Sequence, residues 1–141
     1  MENTRAVLLA AVLTVLPVAA YSQGTRAPAD AFLYIIWPPD GATVKGAFWC
    51  RFGLRNMGVT QAGSNAANSG HHHLLIDVVT LPDMTQPLPA TEQIKHFGKG
   101  QTEAEVTLPP GKHTLQLVFA NYLHIPHAPP VISKPITITV K

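Results

Sequence analysis

A single cysteine stands in this chain of 141 residues, at Cys50. One thiol cannot close an intramolecular disulfide, and no cysteine follows the N-terminal apolar run to carry a lipid anchor. Charge is sparse as well: charged residues make up 13% of the chain and the formal net charge is +2. Lys and Arg are scattered singly, with no basic run and no aromatic residues interleaved with basic ones, which excludes a nucleic-acid footprint. The catalytic signatures are missing too. Ser64, Ser69 and Ser133 stand in no nucleophile elbow, and Glu103 and Glu105 have the parity of a solvated strand face. The chain is therefore read as a binding protein ahead of an enzyme.

What the sequence has in abundance are breaks. Thirteen prolines and ten glycines, with pairs at Pro38-Pro39, Pro109-Pro110 and Pro129-Pro130, leave no room for helices of ordinary length. Before the first of these pairs, Arg5 precedes an uncharged run from Ala6 to Ala20 that is too short to cross a bilayer, and Val18-Ala19-Ala20 fits a cleavage site. Residues 1–20 are thus expected to be a signal peptide, cut after Ala20 or after Ser22. Residues 21–31 would then be a linker, and 32–141 one domain in the periplasm or outside the cell. Removing residues 1–20 takes away Glu2 and Arg5 together and leaves the charge balance unchanged.

Between the breaks, β-branched and aromatic residues alternate with polar ones in the two-residue period of half-buried strands. Strands are expected at 32–37, 48–54, 71–79, 94–97, 102–108, 112–120 and 132–140. About seven strands separated by turn signals is the pattern of an immunoglobulin-like antiparallel β-sandwich. Cys50 shares parity with Phe48, Phe52 and Leu54, as expected of a small core residue. That placement also argues against a blue-copper centre. The segment from Asn56 to Gly70, rich in Gly, Ala, Asn and Ser, is expected to be a mobile loop.

Histidine is the informative residue type. All seven lie between 71 and 127: His71, His72, His73, His96, His113, His124 and His127. In a sandwich whose chain runs up and down, the loops after the second, fourth and sixth strands meet at one pole. All but His113 would then converge there. Strand alternation puts His71 and His73 on one side and His72, in phase with Leu74 and Ile76, on the other. Neutral imidazoles suit transition metals. His71, His73, His96, His124 and His127 are accordingly the expected ligands of a copper or zinc ion, with His72 and Met57 as weaker candidates and Asp77 no nearer than a second layer. Two other readings stay open. The histidines can form a structural hydrogen-bond network in an envelope interaction module, whose loop-rich pole, with Trp37 and Tyr122, takes a protein or glycan partner. Alternatively, a metal with an open coordination position can serve a hydrolase or redox catalyst.

Four ordered segments, Gly70 to Asp77, His96 to Glu103, Leu108 to Leu117 and His124 to Val131, closely resemble a bacterial family known as domain of unknown function 4399. The resemblance spans roughly Ile35 to Lys141. It implies no activity, but it implies that all seven histidines belong to the family's defining segments.

Overall fold

A computed structural model describes residues 24–141, so the expected signal peptide lies outside the described residues. The described residues form an all-β fold of ten strands in two sheets. Strands β1 (Phe32–Trp37), β3 (Phe48–Arg55) and β7 (Glu103–Val106) make the smaller sheet, in the order β1-β3-β7. The larger, curled sheet runs β2 (Thr43–Val44), β10 (Ile136–Val140), β8 (Gly111–Ala120), β5 (Ser69–Ile76), β4 (Gly58–Val59). Strand β6 (Ile94–His96) adds to β5 and β9 (Pro126–Ile132) adds to β8. Among the described residues no helix is long and apolar enough to cross a membrane.

The main core fills the space between the sheets. Leu33, Phe48, Cys50 and Phe52 from the smaller sheet meet Leu74, Ile76, Leu115, Leu117, Phe119, Ile138 and Val140 from the larger one, following the expected parity. Cys50 is fully buried, and burial pushes its thiol up to about 12, so it packs as a small apolar side chain. A second, smaller core lies on the opposite face of the larger sheet. There Leu75, Val118 and Ala120 are covered by Ile94 of β6 and by Leu88 from the connection between β5 and β6. All eight residues of β5 are consequently buried. A strand covered on both faces explains why Leu74, Leu75 and Ile76 run together without polar alternation.

Three boundaries differ from expectation for identifiable reasons. Strand β5 stops at Ile76 rather than Val79, because Asp77 takes a left-handed backbone (φ 55°) and turns the chain out of the ladder. The expected last strand, 132–140, is two strands. Pro135 lacks an amide hydrogen, and Ser133 replaces the broken ladder by accepting the Leu117 amide on its hydroxyl (2.9 Å) while its own amide donates to the Leu117 carbonyl (2.9 Å). The segment expected to be a mobile loop contains β4, and backbone bonds tie it to its surroundings: Thr60 to Gly70 (2.7 Å), Ala62 to Gly98 (2.9 Å) and Gly63 to Tyr122 (3.1 Å).

Phe119 lies fully buried between His72 and His127 in the main core. Phe119→Ala is expected to cost about 3–5 kcal/mol, read as a fall in the urea midpoint of unfolding.

Candidate metal centre

Strand β5 sets the arrangement. Its alternation points His72 into the main core and His71 and His73 outward, in line with Leu75 of the second core. Antiparallel pairing with β6 then sets His96 directly opposite His73. His124 arrives from the turn between β8 and β9. That turn is organised by Asn121, which is buried and whose side-chain carbonyl accepts the amides of Leu123 (2.9 Å) and Ile125 (3.1 Å). The backbone of His124 is left-handed (φ 67°), and its carbonyl is fixed by the Leu88 amide (2.9 Å).

Four imidazoles thus meet on the outer side of the larger sheet. Ring centroids are 4.8 Å apart for His71 and His73, 5.0 Å for His71 and His96, 5.1 Å for His73 and His96, and 4.8 Å for His96 and His124. His124 is 5.0 Å from His71 and 6.2 Å from His73. One ring nitrogen each from His71, His73 and His96 lies within 4.8 Å of the others, so this cluster is able to coordinate a metal ion. His71 and His73 form the buried floor, while His96 is exposed and His124 half-buried. Gly98 sits against the His96 ring, where a Cβ would collide with the imidazole.

The electrostatics suit ligation. Burial, followed by the neighbouring His124 and His96 rings, pushes His71 down to about 4. Burial, then His71 and His96, pushes His73 down to about 2. His96 is lowered by burial and by His124. At neutral pH these three rings are uncharged and each keeps a lone pair for a cation. Both ring nitrogens of His71 and Nδ1 of His73 are buried without a hydrogen-bond partner.

The other histidines are structural. His72 packs against Phe52 and Phe119, and its Nδ1 hydrogen donates to the Gln101 carbonyl (3.1 Å). His127 stands apart from the four: its ring stacks on Phe119, and its Nδ1 hydrogen donates to the hydroxyl (2.8 Å) and carbonyl (3.1 Å) of Thr25. The expected convergence thus brings together His71, His73, His96 and His124 and leaves His127 in a core contact. The physical reason is the start of β9, which turns His127 toward Phe119. Met57 packs against the main core. His113 lies elsewhere, as expected. Its Nδ1 faces the Asp77 carboxylate (2.7 Å) and its Nε2 faces the Pro109 carbonyl (2.8 Å). Both partners are acceptors, so both nitrogens carry hydrogens and the ring is an imidazolium. The Asp77 hydrogen bond, opposed by burial, raises the His113 pKa. Burial works to raise the Asp77 pKa, but the bonds from His113 and Thr114 outweigh it and lower it. Two supporting residues, Asn121 and Gly98, escaped the sequence reading. An asparagine just after a strand is an ordinary turn signal, and nothing in the sequence tells which ring a glycine accommodates.

With the geometry in hand, the family described as a domain of unknown function (DUF4399) is found to match residues 50–141. The chain belongs to this family. The match begins inside β3, later than the expected start near Ile35, and takes in all seven histidines. No curated protein and no solved structure matches the chain.

Two outcomes are expected. Asn121→Ala frees the amides of Leu123 and Ile125 and costs about 1–3 kcal/mol, with broadening of the His124 ring resonances in NMR spectra. His113→Ala should likewise cost about 1–3 kcal/mol near pH 5.5. A raised imidazole pKa contributes stability that is complete below the unfolded value of about 6.5 and is lost as pH rises through the folded one. The gap between variant and wild type in urea unfolding should therefore narrow in alkaline buffer. A gap independent of pH would refute the imidazolium assignment. The buried rings held below 6.5 act in the opposite sense, so the wild type itself loses stability as pH falls from about 6.5.

Proposed function

We propose that the protein is an exported, immunoglobulin-like β-sandwich that binds one transition-metal ion, copper or zinc, through His71, His73, His96 and His124. The observation that carries this reading is the pair of buried, partnerless nitrogens on His71, joined by Nδ1 of His73. His72 and His127 each have Nδ1 bonded and only Nε2 without a partner, whereas His71 has neither ring nitrogen bonded. Those of His71 face three other imidazoles, an all-nitrogen set of the kind that copper and zinc accept. The exposed His96 supplies the entrance. Arg5 and the apolar run after it support export, to the periplasm or beyond the cell, where such an ion would be met.

A second reading has its own support: the histidines serve chiefly as a structural network. His72, His113 and His127 act in this way, with bonds to Gln101, Asp77, Pro109 and Thr25. In that case the four-ring cluster only ties β5, β6 and the Asn121 turn together.

Replacing His71 and His73 together by leucine separates the two. Metal-free wild type is titrated with zinc and with copper, following bound metal and melting temperature. Stoichiometric binding is expected, worth about 2.7 kcal/mol of added stability at a hundredfold excess of free ion over Kd. The leucine variant should lose binding and, without metal, be at least as stable as wild type, since the buried nitrogens without partners are gone. His127→Ala should retain binding. Absence of binding, with the leucine variant markedly less stable, would establish the network in place of the metal site.

A further inference from the structure

The smaller sheet turns one face to the core and the other to solvent, and the solvent face is aromatic. Along β3, Trp49, Arg51, Gly53 and Arg55 point outward, opposite to Phe48, Cys50 and Phe52. Pairing with β1 places Phe32 beside Arg55 and Tyr34 beside Gly53. The Tyr34 ring lies on Gly53, whose missing side chain makes the space for it. The Phe32 and Tyr34 rings stack at 5.5 Å, and the Arg55 guanidinium sits over both, at 5.5 and 5.3 Å.

The next step along β1 is irregular. Ile35 pairs with Phe52, but the register slips so that Trp37, not Ile36, pairs with Arg51. Simple alternation from Tyr34 would send Trp37 toward the core. The bulge brings it to the outer face, in the row of Phe32 and Tyr34, at the expense of leaving Ile36 53% exposed. Phe32, Trp37 and Trp49 are 50%, 46% and 51% exposed. The face thus carries four rings along some 20 Å of strand, from the Phe32–Arg55 pair to Trp49.

Its polar groups are balanced. Strand β7 places Glu103 opposite Arg51, in contact at 3.3 Å, and Glu105 opposite Trp49, while Arg55 lies over the Phe32 and Tyr34 rings. Two positive and two negative groups cancel, which disfavours a phosphate backbone or an anionic lipid surface. A protein partner favours an apolar centre depleted of charge, whereas here the ion pair stands between the two tryptophans. A pyranose matches both elements at once. Its axial C–H face lies flat on an aromatic ring, while its rim of hydroxyls accepts from guanidinium and donates to carboxylate.

We propose that the outer face of β1, β3 and β7 is a binding platform for a neutral polysaccharide in the extended, β-linked form that can lie along the row of rings, with Trp37 and Trp49 as stacking residues and Arg51, Glu103 and Glu105 as hydroxyl partners. This site is separate from the histidine cluster, which lies on the other sheet.

Trp37 and Trp49 are the only two tryptophans of the chain, so tryptophan emission, excited beyond the tyrosine absorption band, reports this face alone. The purified chain is titrated with the hexamers of β-1,4-linked glucose and β-1,4-linked N-acetylglucosamine. A saturable emission change with at least one of them is expected. Trp37→Ala and Trp49→Ala should each weaken it tenfold or more, read by calorimetry, and the His71 and His73 leucine variant should bind as wild type does. No saturable response to either sugar up to about 5 mM would overturn the proposal. So would concentration-dependent self-association in sedimentation that Trp49→Ala abolishes, which would assign the face to a second copy of the chain.

Discussion

The architecture around the histidines depends on β5 being covered on both sides. A strand with one wet face could hold His71 and His73 only as hydrated, freely protonating groups. Here the connection between β5 and β6 folds back over the larger sheet and builds a second core from Leu75, Leu88, Ile94 and Val118. The two-residue alternation of β5 therefore distributes three consecutive imidazoles between two different interiors. His72 enters a conventional apolar core with one hydrogen bond, and its neighbours enter a compact gathering of like rings. The same residue type packs in a core on one side and joins a cluster able to coordinate a metal ion on the other, with the difference set by strand phase alone.

Neutrality follows from that enclosure. Imidazoles placed 5 Å apart in water would titrate near their ordinary value. At His71, His73 and His96 the loss of solvent and repulsion from neighbouring rings both oppose protonation, and no carboxylate among the described contacts offsets them. His113 is the internal control. It has acceptors at both nitrogens, Asp77 among them, and it is driven in the opposite direction. The chain thus uses one side chain as a cation at one end and as a set of lone pairs at the other.

Much of this was legible in the sequence because it depends on periodicity. The inward residues of β3, β8 and β10, the opposed facing of His72 against His71 and His73, and the separation of His113 all follow from two-residue alternation and chain reversal. Properties that depend on irregular backbone were not legible. The turn that presents His124 requires Asn121 to bond two amides at once, and the start of β9 turns His127 away from its sequence neighbour. The break at Ser133 and the bulge before Trp37 are likewise local departures that a regular pattern conceals. The Asn56 to Gly70 segment was misread because its small polar residues resemble a linker, whereas backbone bonds to Gly98 and Tyr122, remote in sequence, anchor it.

The four clustered rings come from three stretches of chain: one strand, a short neighbouring strand and a turn whose histidine lies more than fifty residues downstream of His71. An unfolded chain retains only the local His71-X-His73 pair. The complete set exists only after β6 has docked on β5 and the end of β8 has turned back past Leu88. The fold must therefore assemble before the cluster exists. A chain captured before it has folded presents a weak bidentate chelator, and the full coordination set arises only once the tertiary structure has closed.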